Sequence, residues 1–205
     1  MKIAVLGATG GVGKHFLNKA LKDGHEIRAL VRNPDKIVAC ENLTIIKGDV
    51  TNINDVRQLI EGVDIVVSTL GNVKGVRIMQ KAANTILEIA AEQTIQPKCI
   101  FVSSIGCGGS SWLIAKILTL IAGRKGWLDY EHADKRIRNE RTVPYVLIRP
   151  SALKERPGRG KYRIFQGDGT LARPITKEDV AEFLIDAISS NKWNGQGGFQ
   201  ISGLK

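Results

Sequence analysis

Gly7, Gly10 and Gly13 stand at three-residue spacing directly after the apolar run Ile3-Ala-Val-Leu6, in the stretch Gly7-Ala-Thr-Gly-Gly-Val-Gly13. Glycines so placed do chemistry with backbone rather than side chains. The first permits a tight turn off a strand, the second lets backbone approach a phosphate with no Cβ in the way, and the third lets a helix pack closely on the strand. An amphipathic segment, His15 to Leu21, follows, and the N–H groups at its start are available to an anion. The stretch, with Thr9, Gly11 and Val12 in it, is therefore expected to hold the pyrophosphate of a dinucleotide. In NAD-specific sites an acidic residue about twenty residues further on bonds the ribose 2′-hydroxyl. Arg32 occupies that place here, immediately after Val31, with Lys36 close behind. A guanidinium grips a 2′-phosphate that an acid would repel, so NADP(H) is favoured over NAD(H). Asp35, beyond Pro34, is the weaker candidate for a ribose partner.

Positioning these residues takes alternating strands and helices. Strand-length apolar runs fall at Lys2 to Leu6, Ile27 to Val31, Leu43 to Lys47, Ile65 to Thr69, Cys99 to Ser103 and Tyr145 to Ile148. Between them, apolar residues at three- and four-residue spacing predict helices over Gly13 to Lys22, Ile53 to Ile60, Val76 to Glu92 and Asp129 to Arg141. Six strands alternating with helices imply an α/β, Rossmann-type doubly wound parallel sheet. At 205 residues this is expected to be a single domain. After Pro150 the pattern changes: a turn-rich Arg156-Pro-Gly-Arg-Gly160, a short strand over Tyr162 to Gln166, and a helix opened by the near capping box Thr176-Lys-Glu-Asp179. Elements over about 104–128 and 151–175 are expected to cap the cofactor cleft on the substrate side.

Composition removes several function classes. The net charge of +10, with clusters at Arg136 to Arg141 and Arg156 to Arg163, invites a nucleic-acid reading. Stacking platforms need interleaved aromatics, however, and aromatic content is 5%, with no helix-turn-helix, zinc-finger or RNP-like pattern. Attraction of anionic cofactors and substrates is use enough for the charge. Cys40, Cys99 and Cys107 lack CxxC spacing and are odd in number, against both a metal site and a disulfide framework. No charged n-region with a long apolar segment stands at the start, so a cytoplasmic location is expected. Ser111 to Gly123 is mostly apolar but interrupted by Lys116, and too short for a membrane span. It is read as a lid or wall beside the substrate pocket, with a dimer or partner-protein face, or a peripheral membrane contact, as the alternatives.

The marks Gly7-Ala-Thr-Gly-Gly-Val-Gly13, Leu30-Val-Arg-Asn-Pro34, Gly48-Asp-Val50, Leu70-Gly71, Val102-Ser-Ser-Ile-Gly106, Ile148-Arg-Pro150 and Ile175-Thr-Lys-Glu-Asp-Val-Ala181 follow in order over nearly the whole chain. Together they resemble the atypical short-chain dehydrogenases of the NmrA-like group, and within it the flavin reductase and biliverdin-IXβ reductase branch. The resemblance implies that Asp49 and Val50 flank the adenine and Leu70 and Gly71 the adenosine ribose. It places Ser103 and Ser104 by the nicotinamide ribose, and the backbone of Pro150, Ser151 and Ala152 at the carboxamide. Many relatives carry a hydroxyl residue where Val12 stands, which leaves only a backbone N–H for the phosphate. The biliverdin-type relatives have a histidine where Ala152 stands, which speaks against biliverdin as substrate.

Conventional short-chain dehydrogenases protonate the substrate oxygen with a tyrosine activated by a lysine four residues later. Here Asp134 follows Tyr130 at that spacing, Arg149 follows Tyr145 and Gln166 follows Tyr162. Lys135, five residues after Tyr130, points elsewhere on the helix. A conjugated acceptor such as a flavin or quinone needs less help, because its ring system spreads the charge and solvent completes protonation, leaving positioning to the protein. Ser104 matches the serine of the flavin reductase pattern and is the candidate catalytic residue, as a hydrogen-bond donor to carboxamide or acceptor. His132 reads as a helix-surface histidine. The expected function is an NADPH-dependent reductase of a small planar acceptor; the alternative is an NADP(H)-binding redox sensor or assembly factor without turnover.

Overall fold

The computed structural model describes residues 1–71, 78–109, 112–166, 172–195 and 197–204. The six apolar runs become parallel strands: β1 (Lys2–Leu6), β2 (Glu26–Val31), β3 (Leu43–Lys47), β4 (Ile65–Ser68), β5 (Lys98–Val102) and β6 (Tyr145–Pro150). Every residue of β4, β5 and β6 is buried, as expected of central parallel strands covered on both faces. Four further strands follow: β7 (Leu153–Lys154), β8 (Tyr162–Phe165), β9 (Ile175–Thr176) and β10 (Phe199–Gly203). The main sheet runs β3-β2-β1-β4-β5-β6-β10-β8, parallel except for the β10–β8 pair, while β7 and β9 form a small parallel sheet of their own.

The helices are α1 (Gly11–Lys22), α2 (Ile53–Ile60), α3 (Met79–Glu92), α4 (Trp112–Arg138) and α5 (Lys177–Ser189). On one face of the sheet, α1 and α5 bury Val12, Phe16 and Leu17 with Val180, Phe183 and Leu184 against Ile3, Val5 and Ile100. Val56, Leu59, Ile86, Ile89 and Ile137 of α2, α3 and α4 cover the other face, against Leu6, Val66 and Leu147. Each such side chain, fully buried, contributes about 1.5–3 kcal/mol of transfer free energy. Phe183 also stacks edge-on with Tyr162 of β8, ring centroids 6.2 Å apart, and lies 5.5 Å from the Trp193 ring, which ties the C-terminal strands to the core.

Three expectations are corrected. First, α4 begins at Trp112 rather than Asp129 and stops at Arg138, short of Arg141. It is interrupted at Gly123, whose φ of +75° belongs to the left-handed region that glycine tolerates. Its end is fixed by Glu140, whose Oε1 accepts from the N–H groups of Arg141 and Thr142 at 2.8 Å each. Second, α3 begins at Met79; the expected start at 76 and 77 lies outside the described residues. Third, α1 starts at Gly11, inside the glycine stretch. The expected apolar segment 111–123 shares α4: Trp112, Leu120 and Ile121 are 77%, 81% and 74% exposed on its first half, and Ser111 is outside the described residues. Among the described residues no helix is long and apolar enough to cross a membrane.

Candidate dinucleotide-binding site

The glycine turn is built around one carbonyl. Gly7 leaves β1 at φ +84°, and its oxygen accepts from Gly10 N at 2.8 Å to close the turn. A Cβ on Gly13 would fall 2.1 Å from that oxygen, so the helix can approach the strand only with glycine there. Gly10 caps α1 with no side-chain hydrogen bond, which leaves the first N–H groups of the helix, with their partial positive charge, facing the cleft. A Cβ on Gly10 would meet Gly7 O at 3.1 Å, and one on Gly11 would meet the Lys177 side chain at 2.6 Å. The bare backbone over Gly10 and Gly11 is thus a cradle of the kind a pyrophosphate fits, with Val12 and Gly13 buried beneath it. Lys177, ion-paired to Glu155, stands at its rim.

Beside the turn lies a cavity of about 270 Å³ lined by Gly7, Thr9, Arg32, Gly48, Asp49, Val50, Thr51 and Leu70, among others. It sits at the carboxyl ends of β1, β2 and β4, the edge where open α/β sheets bind ligands. Asp49 Oδ1 accepts from the N–H and hydroxyl of Thr51 at 2.8 and 2.7 Å. Those bonds, aided by the nearby charges of Arg32 and Lys81, hold its carboxyl below the usual range despite partial burial. Arg32 is exposed at the cavity wall, with no ion pair among the described residues. Lys36 is exposed in the 3-10 turn Pro34–Lys36 and does not line the cavity. Asn33 Oδ1 accepts from Asp35 N at 3.0 Å and shapes that turn.

The expected nicotinamide end is the same carboxyl edge, at β5 and β6. Ser103 Oγ donates to Asp134 Oδ2 at 3.2 Å, and Ser104 Oγ to the Ile105 carbonyl at 3.3 Å; both serines are half-buried. Pro150 O accepts from Ile105 N, Ser151 N donates to Ile201 O, and Ala152 O accepts from Ile175 N, which fixes this backbone in place. Gly71 is exposed, and the Tyr130 hydroxyl lies 3.7 Å from where a Cβ on it would be. His132 faces away, with Nδ1 3.3 Å from Gln80 Oε1 between α3 and α4.

Sequence reasoning missed the residues that support the site. Thr69 Oγ1 bonds to the carbonyls of Leu6 and Gly7, and Asp55 Oδ2 accepts from Asp49 N at 2.8 Å. Asp129 caps α3 from a different helix, accepting from Met79 N at 3.0 Å and Gln80 N at 3.1 Å. Asp134, where a conventional lysine would stand relative to Tyr130, is fully buried; Arg149 grips it with two bonds of 2.8 Å and Arg138 with a third. Next to this network Cys107 is buried, and burial with the Asp134 charge pushes its thiol up to about 12, leaving it unreactive. The capping role of Asp129 and the pairing of Asp134 with Arg149 carry no local sequence signal, since those partners are remote; only Arg138, four residues after Asp134, is at helical spacing.

A family model described as NAD(P)H-binding matches residues 7–191. A divinyl chlorophyllide a 8-vinyl-reductase from Arabidopsis thaliana is 25% identical over 222 residues, covering 95% of this chain and 52% of the relative. Among solved structures, an anaerobilin reductase from Escherichia coli O157:H7 superposes with a TM-score of 0.86 at 21% identity, covering 100% of this chain and 99% of that one. A short-chain dehydrogenase/reductase from Veillonella parvula, in complex with NADP, gives 0.82 at 17% identity, covering 98% and 94%. At these identities the structural likeness speaks for the fold alone. The chain spans about half the length of the plant relative, and about a fifth to a quarter of the curated relatives it matches over shorter stretches.

Proposed function

This chain belongs to the NAD(P)H-binding family, and from that premise we propose that it is an oxidoreductase that reduces a small conjugated acceptor, a flavin, quinone or similar planar molecule, with NADPH. The observation that carries the reading is the pairing of a bare glycine cradle with Arg32 on the wall of the adjoining cavity. The cradle suits a pyrophosphate and Arg32 a 2′-phosphate; NADP(H) over NAD(H) follows from the second. Asp49, Val50, Leu70 and Gly71 surround the adenosine, and Ser103, Ser104 and the Pro150–Ala152 backbone the nicotinamide. When bound, the nicotinamide supplies the hydride.

The chain's own part is positioning. Asp134 is neutralised by two arginines and cannot activate Tyr130 as a lysine would, so a route through a tyrosine acid is unsupported. Ser104 is free to turn its hydroxyl from the Ile105 carbonyl toward the carboxamide or the acceptor. Protonation is left to solvent, which a conjugated acceptor permits. The plant sequence relative is a reductase by name, acting on a vinyl group, which supports the class of reaction.

A second reading rests on Trp112, Leu120 and Ile121, exposed on one helix: an NADP(H)-binding sensor or assembly factor that docks a partner there. One experiment separates them. Purified protein mixed with NADPH and excess FMN, riboflavin or a quinone should lose absorbance at 340 nm under the enzymatic reading and hold it steady under the other.

A further inference from the structure

The largest cavity among those described, about 570 Å³, is not lined by the glycine turn and is walled by cations: Lys154, Arg156, Arg159, Lys161 and Arg173. None of the five is in an ion pair among the described residues. The one carboxylate in the wall, Asp179, is already occupied: Oδ1 accepts from Arg159 N at 2.8 Å and Gly160 N at 2.9 Å, and Oδ2 from the Thr176 hydroxyl at 2.7 Å. Glu178 likewise takes Gly158 N at 2.7 Å. These bonds pin the Arg156–Lys161 loop over the start of α5, with both acids bonded to the loop's backbone rather than to the cations' side chains. Five cations against the single wall carboxylate of Asp179 leave the cavity with an excess of positive charge, which attracts anions. Pro157 and Pro174 add apolar surface to the same wall.

Hydrogen bonds tie the wall of this cavity to the backbone proposed for the nicotinamide. Arg173 O accepts from Ser151 Oγ, and Ile175 N donates to Ala152 O, so residues on both sides of Pro174 are bonded to Ser151 and Ala152. Lys154 follows Ala152 by two residues, roughly 7 Å along an extended chain. We propose that this cavity binds the carboxylate or phosphate arm of the acceptor, so that the preferred substrates are conjugated molecules bearing anionic groups. The inference rests on the reductase reading for the identity of its ligand, but its test does not depend on turnover.

FMN and riboflavin share one ring system and differ by a phosphate. Titrated into protein saturated with NADP⁺ and followed by flavin fluorescence, FMN should bind at least tenfold more tightly than riboflavin at low salt, and the gap should shrink in 0.5 M KCl. In an Arg156→Ser/Arg159→Ser variant, whose exposed side chains leave the loop's backbone bonds intact, the gap should close with the melting temperature unchanged. An Arg124→Ser/Lys125→Ser control, which removes the same charge from α4, should keep it. Equal affinity for the two flavins, or equal loss in the control, overturns the proposal; so does failure of FMN, riboflavin and inorganic pyrophosphate all to bind the NADP⁺-loaded protein. Selective FMN binding without loss of 340 nm absorbance would sink the reductase reading and leave the pocket, whereas turnover with the same KM for both flavins would do the reverse.

Discussion

The Thr69 hydroxyl donates to the Gly7 carbonyl at 3.2 Å and to the Leu6 carbonyl at 3.1 Å, so the end of β4 holds the turn that leaves β1. A Cβ on Gly13 would intrude on the same pair, 2.1 Å from the Gly7 oxygen and 2.7 Å from Thr69 Oγ1. Strand, turn and helix converge there, and the cradle's shape depends on that junction more than on the glycine nearest the cleft.

Gly13→Ala should therefore lower both stability and cofactor affinity, by about 1–3 kcal/mol in stability if the helix shifts to relieve the overlap. Gly10→Ala, whose Cβ would stand 3.1 Å from Gly7 O, should leave the melting temperature within a few degrees and weaken NADPH alone. Melting curves with calorimetric titration of each variant separate the two. A Gly13→Ala protein as stable as the parent would mean that α1 is not held against the Gly7 carbonyl.

Cofactor choice is expected to hang on Arg32. NADPH should bind at least tenfold more tightly than NADH, about 1.4 kcal/mol, and Arg32→Ala should narrow that gap while leaving NADH affinity nearly unchanged. Lys36, off the cavity wall, should matter less. Equal calorimetric affinities for the two cofactors in the parent protein would remove Arg32 from the 2′-phosphate.

The six parallel strands were legible as short apolar runs, fully buried in β4, β5 and β6 and only half-buried in β3, and the limits of β1, β3 and α2 follow directly from their patterns. The start of α4 was not. Its first half exposes Trp112, Leu120 and Ile121, so its apolar residues do not mark one buried stripe, and Gly123 at φ +75° reads as a break rather than an interior position. Phe199 to Gly203 escaped notice as a strand behind Gly195, Gly197 and Gly198, although β6 and β8 flank it on either side. At the site, the glycines and Arg32 speak through local spacing. Asp134 reads as a surface acid on a charged helix, and only the fold brings Arg149 to it across 15 residues.

That buried pair yields a stability prediction. Asp134→Asn would leave Arg149 with a buried, uncompensated charge and is expected to cost about 3–5 kcal/mol. Urea denaturation at neutral pH reads it directly. A loss below about 1 kcal/mol would show that the arginine finds water instead.

Glu140 sets an acid limit. Burial, the largest single influence, would raise its carboxyl, but the N–H and hydroxyl of Thr142, the Arg136 guanidinium and the Arg141 N–H together outweigh it and hold the group at about 2 rather than 4.5. A depressed carboxyl stabilises the fold fully above its unfolded value and loses that contribution as pH falls through the folded one, hence between about 4.5 and 2. Glu140→Gln should cost roughly 2 kcal/mol at pH 7, with parent and variant converging toward pH 2. A difference that stays constant over that range would put the stabilisation somewhere other than the charge of Glu140.

The last prediction concerns the proton. Asp134, which stands one turn after Tyr130 where a conventional lysine would be, is locked to Arg149 and Arg138, and His132 bonds Gln80. If solvent protonates the acceptor, Tyr130→Phe and His132→Ala should each change kcat by only a few-fold, well short of the roughly 10²–10⁴-fold that loss of a general acid brings. Ser104→Ala should raise KM or lower kcat modestly through looser positioning, and its effect should be independent of pH, because its hydroxyl does not titrate in the range. Simple ketones should not be turned over at all. A steep loss at Tyr130 together with reduction of an unactivated ketone would establish a tyrosine acid working without its lysine, with the Gly71 backbone beside its hydroxyl as the place to look for what activates it.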